Sequence, residues 1–419
     1  MRIACLGGGP AGLYFAISLK LRQPDAEVVV LERNRADDTF GWGVVLSDET
    51  LDNLKRNDPV SAASIKQHFA YWDDIAVHHQ GRRMLSTGHG FCGIGRRQLL
   101  ILLQARAREL GVDLRFETEV GSASSYADDF DVVVASDGLN SSTRTEFDSI
   151  FQADVKKLRC QFVWLGTKQK FDDAFTFIFE QTDKGWVWAH AYQFDDETAT
   201  FIVECSEQTF DAFEFGKLDQ QQSIAICEGI FKDHLGGHSL MTNANHIRGS
   251  AWIQFPRVLC KKWSHKNMVL LGDASATAHF SIGSGTKLAL ESAAALAECL
   301  SAEPDLSTAF AQYEDARRLE VLRLQSAARN SVEWFEDIER YLHLDPVQFN
   351  YSLLTRSQRI SHENLRLRDA SWLQSAEQWF QEQAGVKPGS PVRAPMFACL
   401  LYTSPSPRDL STSRMPSSA

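Results

Sequence analysis

The chain has 419 residues, 44% of them hydrophobic, and a formal net charge of −11. That length buries a large core and predicts more than one domain. Acidic charge spread along the chain, with no basic stripe, argues against nucleic-acid or anionic-membrane binding. Eight cysteines include no C-x-x-C pair and no zinc spacing, which predicts reduced thiols and no metal site. The N-terminus enters a strand directly, without the basic and apolar regions of a signal peptide. No run of about eighteen apolar residues could span a bilayer, and the expectation is a soluble, cytoplasmic protein.

The apolar run Ile3 to Leu6 passes into Gly7-x-Gly9-x-x-Gly12 and then a helical pattern from Leu13 to Leu21. One glycine allows the tight turn, one lets backbone approach a pyrophosphate and one packs helix on strand. Pro10 and Ala11 open that helix, whose N-terminal N–H groups and positive dipole end favour an anion. A second apolar run, Val28 to Leu31, ends in Glu32, twenty positions after Gly12, where a dinucleotide fold holds a ribose hydroxyl. Arg33 follows it. These residues are read as a dinucleotide site.

Phe40-Gly41-Trp42-Gly43 either carries backbone close to a flat ligand such as a flavin or is a glycine-flexed loop with an anchoring Trp. Asp48 to Asn57 reads as a helix closed by Asp58-Pro59. Ile75 to His79 and Arg83 to Ser86 read as strands of a small sheet. Gly93-Ile94-Gly95-Arg96 leads into a helix striped by Leu99, Leu100, Leu103 and Ala107. Arg96 at its start is placed to clamp a phosphate or a flavin edge, with a solvated arginine as the alternative. Val112 to Phe116 and Asp131 to Ala135 are strands. The second ends in the turn Ser136-Asp137-Gly138, and the carboxyl ends of such strands are where α/β sheets bind ligands.

From about Cys160 to Pro256, aromatic and β-branched runs recur: Gln161 to Leu165, Phe175 to Phe179, Trp186 to Tyr192, Thr198 to Val203 and Ala251 to Phe255. One helix, about Gln220 to Phe231, interrupts them. The pattern predicts an antiparallel sheet with one packed face, inserted into the first domain. Its aromatics either line a substrate cavity or are plain core. Met268 to Leu271 then returns to the α/β domain and ends in Gly272-Asp273. A loop, the glycine turn Gly283-Ser284-Gly285 and a helix from Thr286 to Leu300 follow, then helix from Asp305 to Glu336.

The expected fold is therefore α/β: a Rossmann-like FAD-binding domain (1–157 and 264–330) with an inserted, mostly antiparallel β-sheet substrate domain (158–263, with strands from 72–92). C-terminal helices occupy 331–385 and a linker 386–399. Residues 400–419 lack periodicity, are rich in Ser, Pro and Arg, and read as a non-native tail.

Taken together, the first-turn glycines with Glu32, Arg96, Asp137-Gly138, and Gly272-Asp273 with Gly283 to Thr286 resemble the single-component FAD-dependent aromatic hydroxylases. The resemblance implies that Asp273 bonds the ribityl chain and that Gly283, Ser284, Gly285 and Thr286 present N–H groups to the pyrimidine edge. It further implies that Asp137 and Gly138 lie by the FAD and that Arg96 reaches its phosphates. The segments 38–51, 88–96 and 278–287 narrow it to the salicylyl-CoA 5-hydroxylase and anthraniloyl-CoA monooxygenase group. That group implies NAD(P)H and O2 as co-substrates, a flavin C4a-hydroperoxide as oxidant and an aromatic CoA thioester as substrate; the alternatives are hydroxylation of a free aromatic or indole compound, or an FAD-binding fragment without hydroxylase activity. The group also implies, in many members, a fused reductase domain that would begin near Ala394 and is expected to be missing from this chain; a homodimer is left open. His279 and Phe280 stand where many aromatic hydroxylases have a proline pair. His279 is accordingly the candidate catalytic residue, set against a structural role satisfying loop carbonyls. No motif says where CoA lies.

Overall fold

Arg2–Leu6 is apolar in four of its five positions, and a strand of that kind needs cover on both faces. Ile3, Ala4, Cys5 and Leu6 are fully buried. In the computed structural model, which describes residues 1–39, 41–171, 174–244 and 249–385, the strand sits between parallel neighbours. Ala4 pairs with Val29 on Glu27–Leu31 and with Val133 on Val132–Ala135. Asp113–Arg115 and Met268–Leu270 extend the sheet in parallel, and Ser264–His265 closes one edge antiparallel. Helices Pro10–Arg22 and Gly285–Ala302 pack on each other beside it. This is the dinucleotide-binding α/β layer expected from the sequence.

A second sheet is built from long, mostly antiparallel strands: Ala153–Thr167, Ala174–Thr182, Gly185–Gln193 and Ala199–Cys205, with Ile253–Cys260 paired to the first. Asp74–His79 and Arg82–Ser86 extend it, the former in parallel with Ala174–Thr182. Alternation gives this sheet two faces. Val163, Leu165, Ile178, Val187, Ala189, Phe201 and Val203 form one core, with Cys227 and Phe231 of helix Gln220–Phe231. The opposite face carries Phe177, Trp188, His190, Tyr192, Thr200 and Glu204.

The glycine-rich segments differ from their sequence reading. Gly43–Leu46, which follows the segment read as a flexed loop or a flavin contact, forms a separate three-stranded sheet with Ala70–Trp72 and Phe91–Gly95. A Cβ on Gly43 would stand 2.6 Å from the Phe194 side chain, and one on Gly93 2.7 Å from the Trp72 ring. The glycines serve to admit neighbouring rings. A second missed element, helix Pro59–Lys66, follows Asp58 directly and is capped by it.

Residues 1–370 form one compact unit, completed by helices Leu306–Glu336, Pro346–Thr355 and His362–Arg368. A second unit, 371–419, contains most of helix Ala370–Gln383. The linker and tail read at 386–399 and 400–419 lie outside the described residues, as does Phe40. Among the described residues no helix is long and apolar enough to cross a membrane, no His/Cys/Asp/Glu group could hold a metal ion, and the cysteines are free.

Candidate active site

The Gly7–Gly12 turn is held by close backbone contacts. Gly7 has φ +112°, and a Cβ there would lie 2.3 Å from the Ser136 carbonyl oxygen. A Cβ on Gly12 would lie 2.2 Å from the Gly7 oxygen. Ser136 Oγ donates to the carbonyls of Leu6 and Gly7 at 3.1 Å each. Around Gly9, by contrast, a Cβ would meet nothing within 4 Å. The helix that starts at Pro10 has no side-chain cap, and Ala11 is buried in its first turn. Space and uncapped N–H groups thus coincide at one point, the arrangement that admits a phosphate. The Glu32 carboxylate accepts from the N–H groups of Gly8 (2.7 Å) and Asn34 (2.8 Å) and from Asn34 Nδ2, so it braces the turn from the next strand. Arg33 is exposed and makes no ion pair among the described residues.

The other predicted loops meet this turn. A Cβ on Gly272 would approach Ala11 Cβ to 2.9 Å, which seats the Gly272-Asp273 loop on the first helix. Asp137 accepts from Ser142 Oγ and the Thr143 N–H, while its Oδ1 is buried without a partner. Gly138, at φ +76°, has open space where a Cβ would point. Arg144, which carries no motif, cross-links these loops. It donates to Leu139 on one side and to the Asp273 and Ala274 carbonyls on the other.

Arg96 opens helix Arg96–Glu109, is half-buried, and its guanidinium has no hydrogen-bond partner among the described residues. Burial pulls it below the usual arginine range, opposed by the charge of Asp273. Asp273 is open to water on one side but crowded on the others. That desolvation raises its carboxyl, against the pull of Arg96 and Arg144. Helix Gly285–Ala302 begins without a side-chain cap after Gly283 (φ +61°) and Ser284, with Thr286 in its first turn. Arg359, also without a motif, donates to Ser284 Oγ at 3.2 Å.

Between Asp273 and that turn, His279 is buried and accepts the Ser281 N–H at Nδ1 (3.2 Å), so its neutral ring carries the proton on Nε2. Burial pushes its pKa down to about 4, with Glu204 working against the change. The rings of Phe255, Phe280 and Phe162 surround it in series, with centroids 4.9 Å (His279–Phe255), 4.1 Å (His279–Phe280) and 4.7 Å (Phe162–Phe280) apart.

The inner face of the second sheet adds a buried polar group beside this aromatic wall. Glu204 Oε2 accepts from Trp188 Nε1 (2.8 Å) and His190 Nε2 (2.9 Å). Burial works to raise the Glu204 carboxyl, but the hydrogen bonds it accepts from His190 and Trp188 outweigh that, and it is held below the ordinary carboxylate range. Burial lowers His190, which is held neutral. Arg356 supplies the balancing positive charge. Its guanidinium donates to the Ser281 carbonyl (2.9 Å) and Ser331 Oγ (3.0 Å) and lies over the rings of Phe177 and Phe335.

A family model described as an FAD binding domain matches residues 1–324. The chain belongs to this FAD-binding family. It is 42% identical over 390 residues to a salicyloyl-CoA 5-hydroxylase from Streptomyces sp, covering 91% of this chain and 74% of the relative. It is 34% identical over 335 residues to a 3-hydroxy-4-methyl-anthranilyl-[aryl-carrier protein] 5-monooxygenase from Streptosporangium sibiricum, covering 80% and 89%. Its fold resembles that of 2-methyl-3-hydroxypyridine-5-carboxylic acid oxygenase, at a TM-score of 0.65 and 18% identity over 88% of this chain and 99% of the other. The protein is an FAD-dependent aromatic monooxygenase. The residues present fit FAD: an open cradle at Gly9, two uncapped helix starts and an unpaired arginine face the converging loops.

Proposed function

We propose that this monooxygenase hydroxylates the ring of an aromatic acyl thioester of the salicyloyl-CoA or anthraniloyl-CoA type, with NAD(P)H and O2 as co-substrates. The observation that carries the reading is the aromatic wall of Phe162, Phe255 and Phe280 around His279, whose loop runs from Asp273 to the Gly283 turn. A flat apolar ring packs well against such a wall. Both relatives named above act, by their names, on an aromatic acyl group held by a carrier, which supports a thioester.

In this reading Gly7, Gly9, Pro10, Ala11 and Gly12 receive the pyrophosphate, and Glu32 and Arg33 lie at the adenosine end. Arg96 meets the phosphates, Asp273 with Gly272 the ribityl chain, and Gly283 to Thr286 the pyrimidine edge, with Asp137 and Gly138 alongside. Bound there, FAD supplies the redox and oxygen-transfer chemistry. The chain's own part is to orient the ring, exclude water and fix protons. A neutral His279 with a pKa of about 4 is a poor base at neutral pH but a good donor through Nε2–H, and it is assigned to hold an oxygen of the substrate. Residues 1–157 with 264–330 act as the FAD-binding part and 158–263 as the substrate part, in the cytoplasm.

Oxygen uptake and NAD(P)H oxidation by the FAD-loaded protein, with salicyloyl-CoA, anthraniloyl-CoA and the free acids, test the substrate. Stimulation by a thioester with a hydroxylated product is expected, and equal stimulation by the free acids overturns the thioester requirement. Arg96→Met tests the cofactor assignment without chemistry. Removing a charge-assisted contact costs about 1.5–3 kcal/mol, so the FAD dissociation constant should rise at least tenfold. Unchanged FAD affinity by fluorescence titration would remove Arg96 from the site.

A further inference from the structure

A groove of about 660 Å³ lies among the helices after residue 330, lined by Trp334, Arg340, Tyr341, Tyr351, Arg356 and His362 among others. That volume falls in the range of small-ligand sites, about 300–1,000 Å³. Its inner wall is shared with the ring site. Arg356 lines the groove and also donates to Ser281, beside His279, and covers Phe177. Trp334 lines it too and meets Phe335 edge-on at 5.0 Å, while Phe335 stacks on Trp188 at 5.9 Å.

The charges in the groove are unequal in availability. Asp337 is taken by Arg159 at 3.0 Å, and Glu333 lies 3.7 Å from Arg329. Arg340 is exposed and has no ion pair among the described residues. The remaining lining is rich in hydroxyl, amide and imidazole groups: Asn330, Ser352, Thr355, Gln358, Ser361 and His362. An uncharged chain with amide groups suits such a lining, and an anion at its outer end suits Arg340.

We infer that this groove holds the phosphopantetheine arm of the substrate, with its phosphate at Arg340 and its acyl end turning inward at Arg356 toward the aromatic wall. This rests on the thioester reading above. Coenzyme A and a carrier protein both end in that arm, so the groove serves either source, and the two are separated by experiment. The arm's amides pair with the polar lining, and the thioester enters past the Arg356 guanidinium.

The test is binding to the FAD-loaded protein, by calorimetry, of salicyloyl-CoA, salicyloyl-pantetheine, a salicyloyl-loaded aryl-carrier protein and salicylate. Arg340→Glu, at an exposed position, should weaken salicyloyl-CoA at least tenfold and leave salicyloyl-pantetheine and salicylate unchanged. Thr355→Trp, which fills the groove, should weaken every pantetheine-bearing ligand and spare salicylate. FAD content and melting temperature show whether each variant folds, and Arg340→Glu stands alone if Thr355→Trp does not. Stronger binding of the carrier-protein ligand, lost in Arg340→Glu, supports the groove with that source; stronger binding of salicyloyl-CoA, lost likewise, supports it with the other. If the wild-type protein binds the thioesters no better than salicylate, the thioester reading fails and the groove assignment falls with it. If it prefers a thioester but Arg340→Glu binds that thioester unchanged, the groove assignment alone is overturned.

Discussion

Gly7→Ala is expected to abolish stable FAD binding, raising the dissociation constant at least a hundredfold, while Gly9→Ala loses affinity with its apoprotein stability intact. The two glycines stand two residues apart in one turn, yet their surroundings differ. At Gly7 an alanine would be forced to φ +112° with its Cβ 2.3 Å from the Ser136 oxygen and 2.9 Å from the Ser136 carbonyl carbon. A residue held in such a region costs on the order of 1–3 kcal/mol, and the clash adds to this because backbone at the end of a buried strand cannot rotate away. The displaced atoms are those that carry Asp137 and Gly138, so the second loop moves with the first. Gly9 faces open space, and its methyl group would stand only in the path of a ligand. Thermal melts of the apoproteins separate the two: Gly7→Ala melts lower, Gly9→Ala as the wild type. Wild-type FAD affinity in Gly9→Ala would show that no phosphate approaches there.

This contrast explains what could be read from the sequence. A glycine fingerprint between an apolar strand and a helix specifies backbone geometry, and backbone geometry is local. The parallel strands were likewise legible because residues such as Val132, Val133 and Val134 leave no polar face. The three-stranded sheet was not legible, because Gly43 marks a strand position filled by the ring of Phe194, which arrives from far along the chain, and Gly93 one filled by the ring of Trp72 from the adjoining strand. The run Trp186 to Tyr192 placed His190 on a strand and the run Thr198 to Val203 stopped one residue short of Glu204, while the register that sets Trp188 opposite Glu204 depends on tertiary pairing. Arg144 and Arg356 carry no motif. They matter through the carbonyls they reach, at Ala274 and Ser281, and a single sequence does not say which carbonyls lie within an arginine's length.

The second large effect is on stability. Asp58→Asn is expected to destabilise the protein by about 1.5–3 kcal/mol at neutral pH, the cost of losing a hydrogen-bonded partner at a charged group, with Arg106 left only its ion pair to the exposed Glu109. Asp58 is 1% exposed and Arg106 12% by side chain. The pair is bidentate, with Nε to Oδ2 at 3.0 Å and Nη2 to Oδ1 at 3.1 Å. The same carboxylate accepts from Ser61 Oγ and the Val60 N–H, capping helix Pro59–Lys66. Arg106 belongs to the helix that Arg96 opens, so this bridge braces the element that presents a cation to the cofactor cleft. Burial acts to raise the Asp58 carboxyl, but its bonds to Arg106 and Ser61 outweigh that, and it is held below the ordinary carboxylate range. A carboxyl depressed in the folded state stabilises at every pH above its unfolded value, about 3.9, and the contribution is lost as pH falls through the folded value. The wild-type and Asp58→Asn proteins should therefore differ most in urea melts at pH 6–8 and converge below about pH 4. Because the asparagine keeps the size and part of the capping function, a gap constant across that range would mean that shape, and not the buried charge pair, holds the helix in place.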